Sequence, residues 1–508
     1  MNESRLDYIP EPKLVFGSGQ QLESPKDGLL LFGPERVAKE NATLRIGVIG
    51  TKAGITFFNE WMCRVKGFVP GKESSSAQHR SFLGFNAIYG VGLPDRAVCE
   101  LIVTDDEIDK TLMVSDRHVA IFRTVDVFSD RIKRYIDEEE AVVDVWFVVI
   151  PERVFLYGRP KSVVPVAMRV ESGAHMDKKL AKELISEPSL FVEDNEAAEP
   201  YLYEVNFHNQ LKARLLERPH RAVVQIVRET VVAPGAFLKS NGKPLRAIQD
   251  PATVAWNLCT TAYFKSGRRP WRLARVRDKV CYVGLVFKRL LNDAEGSACC
   301  GAQMFLDSGD GLVFKGAVGP WRSASKGEYH VSREGARTLL ATVVDAYKIK
   351  EGCYPSELFI HGQTAFNDEE WHGFMDAVSP GTNLVGVRIR SSLSVKLFRP
   401  GTHPILRGSA LRLSSRAGFL WTRGFIPYLG TYPGRETPNP LRIDLLRGDA
   451  DLLTVMADVM ALTKLNFNAC IYGDGLPVTL RFASAVGEIL TAGPTPENQP
   501  PLPFKHYI

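Results

Sequence analysis

Residues 207–217 read FHNQLKARLLE. On a helix, His208 and Lys212 are four apart and stand one above the other on the same face. Gln225 follows after a short break, and Lys265 comes later in an AYFKSG run. A His/Lys/Gln/Lys set is rich in hydrogen-bond donors and poor in carboxylates. That chemistry suits an anion such as a terminal phosphate, not acid–base catalysis. Taken alone, a helical HxxxK is an ordinary solvated surface motif.

Catalytic signatures are absent elsewhere. There is no HExxH, GxSxG or GxxxxGK[ST], which removes the common hydrolase and nucleotide-triphosphatase motifs. Asp307 and Asp310 flank Gly309, where Asp-Gly is ordinary hairpin chemistry. Asp368, Glu369 and Glu370 stand at an expected helix start, where negative charge is favoured. His361 ends a strand, either packed in the core or meeting a nucleic-acid backbone; both readings stay open. The eight cysteines include no CxxC pair, and Cys299 and Cys300 are adjacent. They read as free thiols buried in a reducing cytoplasm.

Charge is modest overall and lopsided locally. The net charge is +5, with 45% hydrophobic and 24% charged residues, the composition of a soluble globular protein. From Ala377 through Arg435 there are nine bases and no acid. From Cys259 to Asn292 there are nine more against Asp278 alone. Such stretches beside Trp271 and Trp421 can neutralise a phosphate backbone. The competing reading is a solvated face whose acidic neighbours are brought in by the fold. The runs read as strands and turns, not as a basic amphipathic helix for a membrane surface. No apolar stretch reaches 18 residues, and the amino terminus lacks the apolar core of a signal peptide, so a cytoplasmic location is expected.

The elements that must position these residues alternate. Residues 44–50 (LRIGVIG) read as a strand leading to an amphipathic stretch over 55–65. A helical pattern over 115–135 leads into 141–150 (AVVDVWFVVI), long and apolar enough for a central parallel strand. Residues 192–200 (VEDNEAAEP) are acidic and read as a surface connection. A second α/β unit begins near 280: strands over 280–287, 302–306 and 311–315, then a helix over 333–348 and a strand over 358–361. That is the order of an RNase H-like fold. At 508 residues, and roughly 100–200 per domain, two to four domains are expected.

His208, Lys212, Gln225 and Lys265, taken in that order, resemble the Argonaute MID pocket that grips the 5′ end of a guide. Segments such as DVWFVVIPE, FHNQLKARLLE, QMFLDSGDGLVFKGAVGPW, FNDEEWHGF and LTKLNFNACIYGDGLPVTLRFA look like the short prokaryotic Argonautes. The nearest likeness is to those that pair with a TIR-APAZ protein. The resemblance implies an α/β chain with a Rossmann-like MID domain over 1–275, including an N-terminal extension, and an RNase H-like PIWI domain over 276–508. It implies Mg²⁺ at the guide phosphate, held by the C-terminal carboxylate of Ile508 and by Gln225. Backbone contacts to guide and target are expected from Arg268, Arg269, Lys464, Asn466 and Arg481. An active PIWI domain gathers carboxylates around two metal ions, but here the corresponding positions carry Val286, Gln363 and Ser484. Valine cannot ligate Mg²⁺, and neutral Gln and Ser cannot balance its charge. The resemblance therefore implies a nuclease-dead chain that takes a guide RNA and complementary single-stranded DNA. Catalysis is expected in an APAZ-containing effector, TIR-APAZ with NAD hydrolysis or else a nuclease, in defence against plasmids or phage, with a higher oligomer possible on target binding. Two other classes compete. An active guide-directed nuclease would need carboxylates at Val286 and Gln363. A plain RNA-binding module would leave the His208–Lys212–Lys265 set without a purpose.

Overall fold

The computed structural model describes residues 5–35, 42–72, 79–139, 141–171, 176–217, 219–275, 277–289, 298–306, 311–319, 330–434, 436–494 and 500–508. Four parallel strands make the first sheet, in the spatial order Cys99–Ile102, Ile46–Gly50, Val145–Ile150, Val224–Arg228. Every residue of Val145–Ile150 is buried, as a central strand covered on both faces requires. Val145, Phe147 and Val149 share a core with Ile55, Phe58 and Trp61 of the Lys52–Lys66 helix. Trp146, Val148 and Ile150 share the opposite one with Ile121, Val125 and Phe128 of the Arg117–Glu138 helix. Each large side chain so buried contributes about 1.5–3 kcal/mol. Local chemistry sets the helix starts: Thr51 accepts from Gly54 N, and Asp116 from His118 N and Val119 N.

The acidic stretch expected to be a plain connection is instead the Val192–Ala198 helix. Glu193 and Asp194 lie in its first turn, where the helix dipole favours them. Ala198 is buried with Ala181 and Tyr201.

The second sheet has ten strands and follows the expected order. Val280–Arg289, Ala298–Phe305 and Gly311–Gly319 pair antiparallel; the Arg333–Glu351 helix follows; Glu357–Gly362 then returns parallel to Val280–Arg289. Cys281, Val283 and Leu285 pack with Leu339, Leu340 and Val343 of that helix on one face of the sheet. Asp307 and Asp310 lie outside the described residues. Asp368 to Glu370 do begin a helix, Asp368–Ala377, and Glu370 is buried, accepting from Val331 N.

The chain ends cross between the two sheets. Arg5–Tyr8 pairs antiparallel with Ser409–Arg412 at an edge of the ten-stranded sheet, although it lies in the stretch assigned from sequence to the first unit. Leu14–Val15, Gln21–Leu22 and Arg272–Leu273 form a small third sheet. Leu502–Pro503 pairs with Leu312 and Val313, and Phe504, Tyr507 and Ile508 enter the largest core. Among the described residues, no helix is long and apolar enough to cross a membrane.

Candidate nucleic-acid interface

The Phe207–Arg214 helix opens on Asn206, whose side chain accepts from Asn209 N, and carries Lys212 and Arg214 in its last turn, where cations are favoured. Phe207 and Leu211 anchor it to the first sheet's core, which orients His208 and Lys212. Lys265 closes the Pro251–Lys265 helix, which starts on an Asp250 cap with Pro251 in first position. Gln225 is the second residue of the Val224–Arg228 strand. These three elements and the chain's last residues converge. Lys265 Nζ donates to Val224 O and to Gln225 Oε1, both at 2.8 Å. Lys212 Nζ donates to Tyr507 O at 3.2 Å. His506 is drawn in as well, and its buried Nδ1 has no hydrogen-bond partner among the described residues.

The basic groups here are concentrated. Burial pushes the Lys212 ammonium down to about 8. Burial and then Lys212 push Lys265 well below its ordinary range. His208 is exposed on one side while protein surrounds the rest of it. Desolvation, then Lys212, hold it at about 3, with a further push from Lys265. His506 is held at about 4 by burial, with Lys505, Arg221 and Lys265 pushing the same way. Buried cations cost free energy unless an opposite charge accompanies them. A phosphate dianion would relieve that cost at Lys212 and Lys265.

Sequence reasoning named His208, Lys212, Gln225 and Lys265, and the structure brings all four together. His506 and Tyr507 went unnamed; the closing FKHYI, basic and aromatic after a proline-rich stretch, was the available signal. Ile508 is 5% exposed, next to the carbonyl that Lys212 holds. A terminal carboxylate and an amide oxygen are hard donors that suit Mg²⁺, so Ile508 and Gln225 fit the ion by type. Lys265 already holds Gln225 Oε1, so the ion would take that oxygen from an ammonium.

The expected backbone contacts need correction. Lys464 is buried: its Nζ lies 2.6 Å from Glu11 Oε1 and donates to Tyr472 O at 2.5 Å. Asn466 is also buried and donates to Asp474 Oδ2. Neither presents a donor at the surface, because both brace the loop that carries Asp474. Arg269 lies 3.6 Å from Glu35, and Arg268 donates to Ser266 Oγ. Arg481 pairs with Asp474 but keeps 48% of its side chain exposed. With Lys26, Lys72, His79 and Arg423 it lines a groove of about 470 Å³ whose walls also hold Asp250 and Asp474.

Several bases of the two stretches are met by acids distant in sequence. Arg272 meets Glu35, Arg277 meets Glu357 and Asp458, Arg388 meets Asp444, and Arg412 meets Asp7. Arg407 is buried against Glu11 and Thr463. The reading of acidic neighbours supplied by the fold accounts for these residues, and the charge run alone overstated the basic surface.

Of the positions compared with a nuclease site, Val286 lies in the Val280–Arg289 strand and Gln363 just past the end of Glu357–Gly362. Ile360 registers with Val283 and His361 with Gly284, where the pairing of the two strands ends. Gln363 is exposed, and the side chain of Val286 lies outside the described residues. Ser484, in the Ala483–Leu490 helix, is exposed, with Oγ 3.5 Å from Glu488 Oε1. His361 is fully buried, its Nδ1 2.9 Å from Thr479 Oγ1. That resolves its two sequence readings in favour of a packed core histidine.

No family model and no curated protein matches the sequence. Solved structures do match. The Clostridium butyricum Argonaute bound to a guide DNA (5′ deoxycytidine) and a 19-mer target DNA gives a TM-score of 0.61 at 14% identity, over 96% of this chain and 53% of that one. Aa-Ago with externally bound siRNA gives 0.54 at 14% identity, over 99% and 56%. The A. aeolicus Argonaute gives 0.53 at 13% identity, over 98% and 54%. The chain thus has an Argonaute-like mixed α/β fold, and it spans about half the length of these structures.

Proposed function

We propose that the chain is a short, nuclease-dead Argonaute that binds the 5′-phosphate of a guide RNA and pairs the guide with complementary single-stranded DNA. The observation that carries this reading is the convergence of two buried lysines, Lys212 and Lys265, with the neutral imidazoles of His208 and His506 on one site. In this reading residues 1–275 act as a MID-like unit and 276–508 as a PIWI-like unit, with Arg5–Tyr8 lent to the second. Lys212 and Lys265 hold the phosphate, and Ile508 and Gln225 hold a Mg²⁺ that would offset its charge. Val286, Gln363 and Ser484 leave no acid to hold catalytic metals, so target recognition has to be passed on. We assign that output to an APAZ-containing partner, most simply a TIR-APAZ NAD hydrolase, acting in the cytoplasm in defence against plasmids or phage. The test is to sequence nucleic acids that copurify from cells, and to coexpress the chain with its neighbouring gene product while following NAD and plasmid DNA. Enrichment of 5′-phosphorylated guides and effector activity only with complementary target support the reading. No copurifying partner, or activity indifferent to target sequence, overturns it.

A further inference from the structure

A chain of side-chain contacts joins the phosphate pocket to the degenerate nuclease position. His208 Nδ1 is 3.2 Å from Asn209 Oδ1. Asn209 Nδ2 donates to Glu204 Oε2 at 3.2 Å and to Glu488 Oε2 at 3.4 Å. Glu488 Oε1 in turn lies 3.1 Å from Lys288 Nζ, and Ser484 stands one turn before it on the same helix. Lys288 follows Val286 by two residues in its strand. An ammonium–carboxylate pair therefore stands beside the degenerate metal positions.

We propose that Glu488, paired with Lys288, positions Asn209 so that His208 takes up its second proton at Nε2 when a guide phosphate arrives. The inference rests on the guide-end reading above. Asn209 is buried, and both carboxylates accept from its amide nitrogen, so its oxygen must face His208. An acceptor at Nδ1 requires that nitrogen to carry the hydrogen, which fixes the tautomer and leaves Nε2 as the site of protonation. Glu204 and Glu488 lie close enough to repel, and Lys288 offsets that repulsion. The groups bearing on His208 are thus Lys212 and Lys265 on the pocket side, and Glu204, Glu488 and Lys288 behind Asn209. The Glu488–Lys288 pair braces the helix that grips the guide.

The experiment compares 5′-phosphate and 5′-hydroxyl guides of one sequence on the full chain, across pH 6.5 to 8. Glu488→Gln keeps the size and removes the charge; Asn209→Ala removes the link. Each should lower the phosphate-over-hydroxyl preference roughly threefold to tenfold, the scale of one charge-supported hydrogen bond, and flatten its pH dependence. Hydroxyl-guide affinity and Tm should stay near wild type for Glu488→Gln. Histidine-selective ¹⁵N spectra should show the Nδ1–H tautomer of His208 in the wild type and its loss in Asn209→Ala. If Lys212→Ala collapses the preference while both other variants keep its size and pH slope, the positioning role is wrong. If Lys212→Ala itself leaves the preference unchanged, the guide-end reading is what fails.

Discussion

Lys212 donates a hydrogen bond to the carbonyl of Tyr507, 295 positions further along the chain. The pocket is therefore completed only when the last residues of the chain have docked against a helix of the first α/β unit. Its donors come from two helices, one strand and the carboxy-terminal segment, so no local stretch of sequence contains it.

Lys212→Ala or Lys265→Ala should each remove a charge-assisted contact of roughly 1.5–3 kcal/mol, about tenfold to a hundredfold in affinity. The loss should be confined to 5′-phosphorylated guides in filter-binding titrations. An equal loss for 5′-hydroxyl guides would mean that these lysines contact the backbone generally.

Guide binding should take up protons. His208 is held at about 3, Lys212 at about 8, and Lys265 well below its ordinary range. A bound phosphate raises all three, so the complex carries more protons than the free chain. Affinity for the phosphorylated guide should therefore rise as pH falls from about 8 to about 6.5. The gain should stop near pH 6, where the phosphate itself protonates. Calorimetry in buffers of different ionisation enthalpy counts the protons, and zero uptake at pH 7.5 would contradict this account.

Chelation of divalent ions should weaken phosphorylated guides selectively. With Ile508 and Gln225 as hard oxygen donors, EDTA should cost these guides affinity and leave 5′-hydroxyl guides unchanged. Affinities insensitive to EDTA would remove Mg²⁺ from the pocket.

If Val286, Gln363 and Ser484 occupy the metal-ligand positions, as proposed, a guide-loaded chain supplied with Mg²⁺ or Mn²⁺ should leave a matched target intact. Denaturing gels are decisive here: guide-dependent scission at one internal position would restore the nuclease reading.

Glu11→Gln should destabilise the fold strongly. Burial pushes the Glu11 carboxyl up, but Lys464 and Arg407 outweigh it and hold the group below its ordinary value. Neutralising it leaves two buried cations without their partner, at a cost of about 3–5 kcal/mol. The carboxylate's contribution is present above pH 4.5 and is lost as pH falls towards its lower folded value. Chemical denaturation at pH 7 measures the first effect, and a wild-type Tm series from pH 6 to 3 the second. A midpoint unchanged in the variant would show that the pair is not coupled to stability.

Periodicity made much of the fold legible. The runs 141–150 and 280–287 are apolar on both faces, and only a strand covered on both sides satisfies that pattern. Three strands, a helix and a parallel strand then follow in order. Long-range pairing was not legible. Nothing in RLDY announces its register with Ser409–Arg412, and nothing in the basic stretches shows that Arg412 will meet Asp7 or Arg272 will meet Glu35. Lys464 misled for the same reason: a lysine reads as surface until Glu11, supplied from the other end of the chain, makes its burial tolerable. Helix spacing put His208 and Lys212 on one face, and the family resemblance added Gln225 and Lys265, whereas His506 joins them only through the fold.

The crossing of the two chain ends has a mechanical consequence. Arg5–Tyr8 is built into the ten-stranded sheet, while Tyr507 and Ile508 are built into the pocket beside the four-stranded one. The halves are clasped like interlocked fingers, and the covalent link near residue 275 is only one of several ties between them. A chain nicked there would stay together as a complemented pair. Strain arising in one sheet would have a short, stiff route to the other.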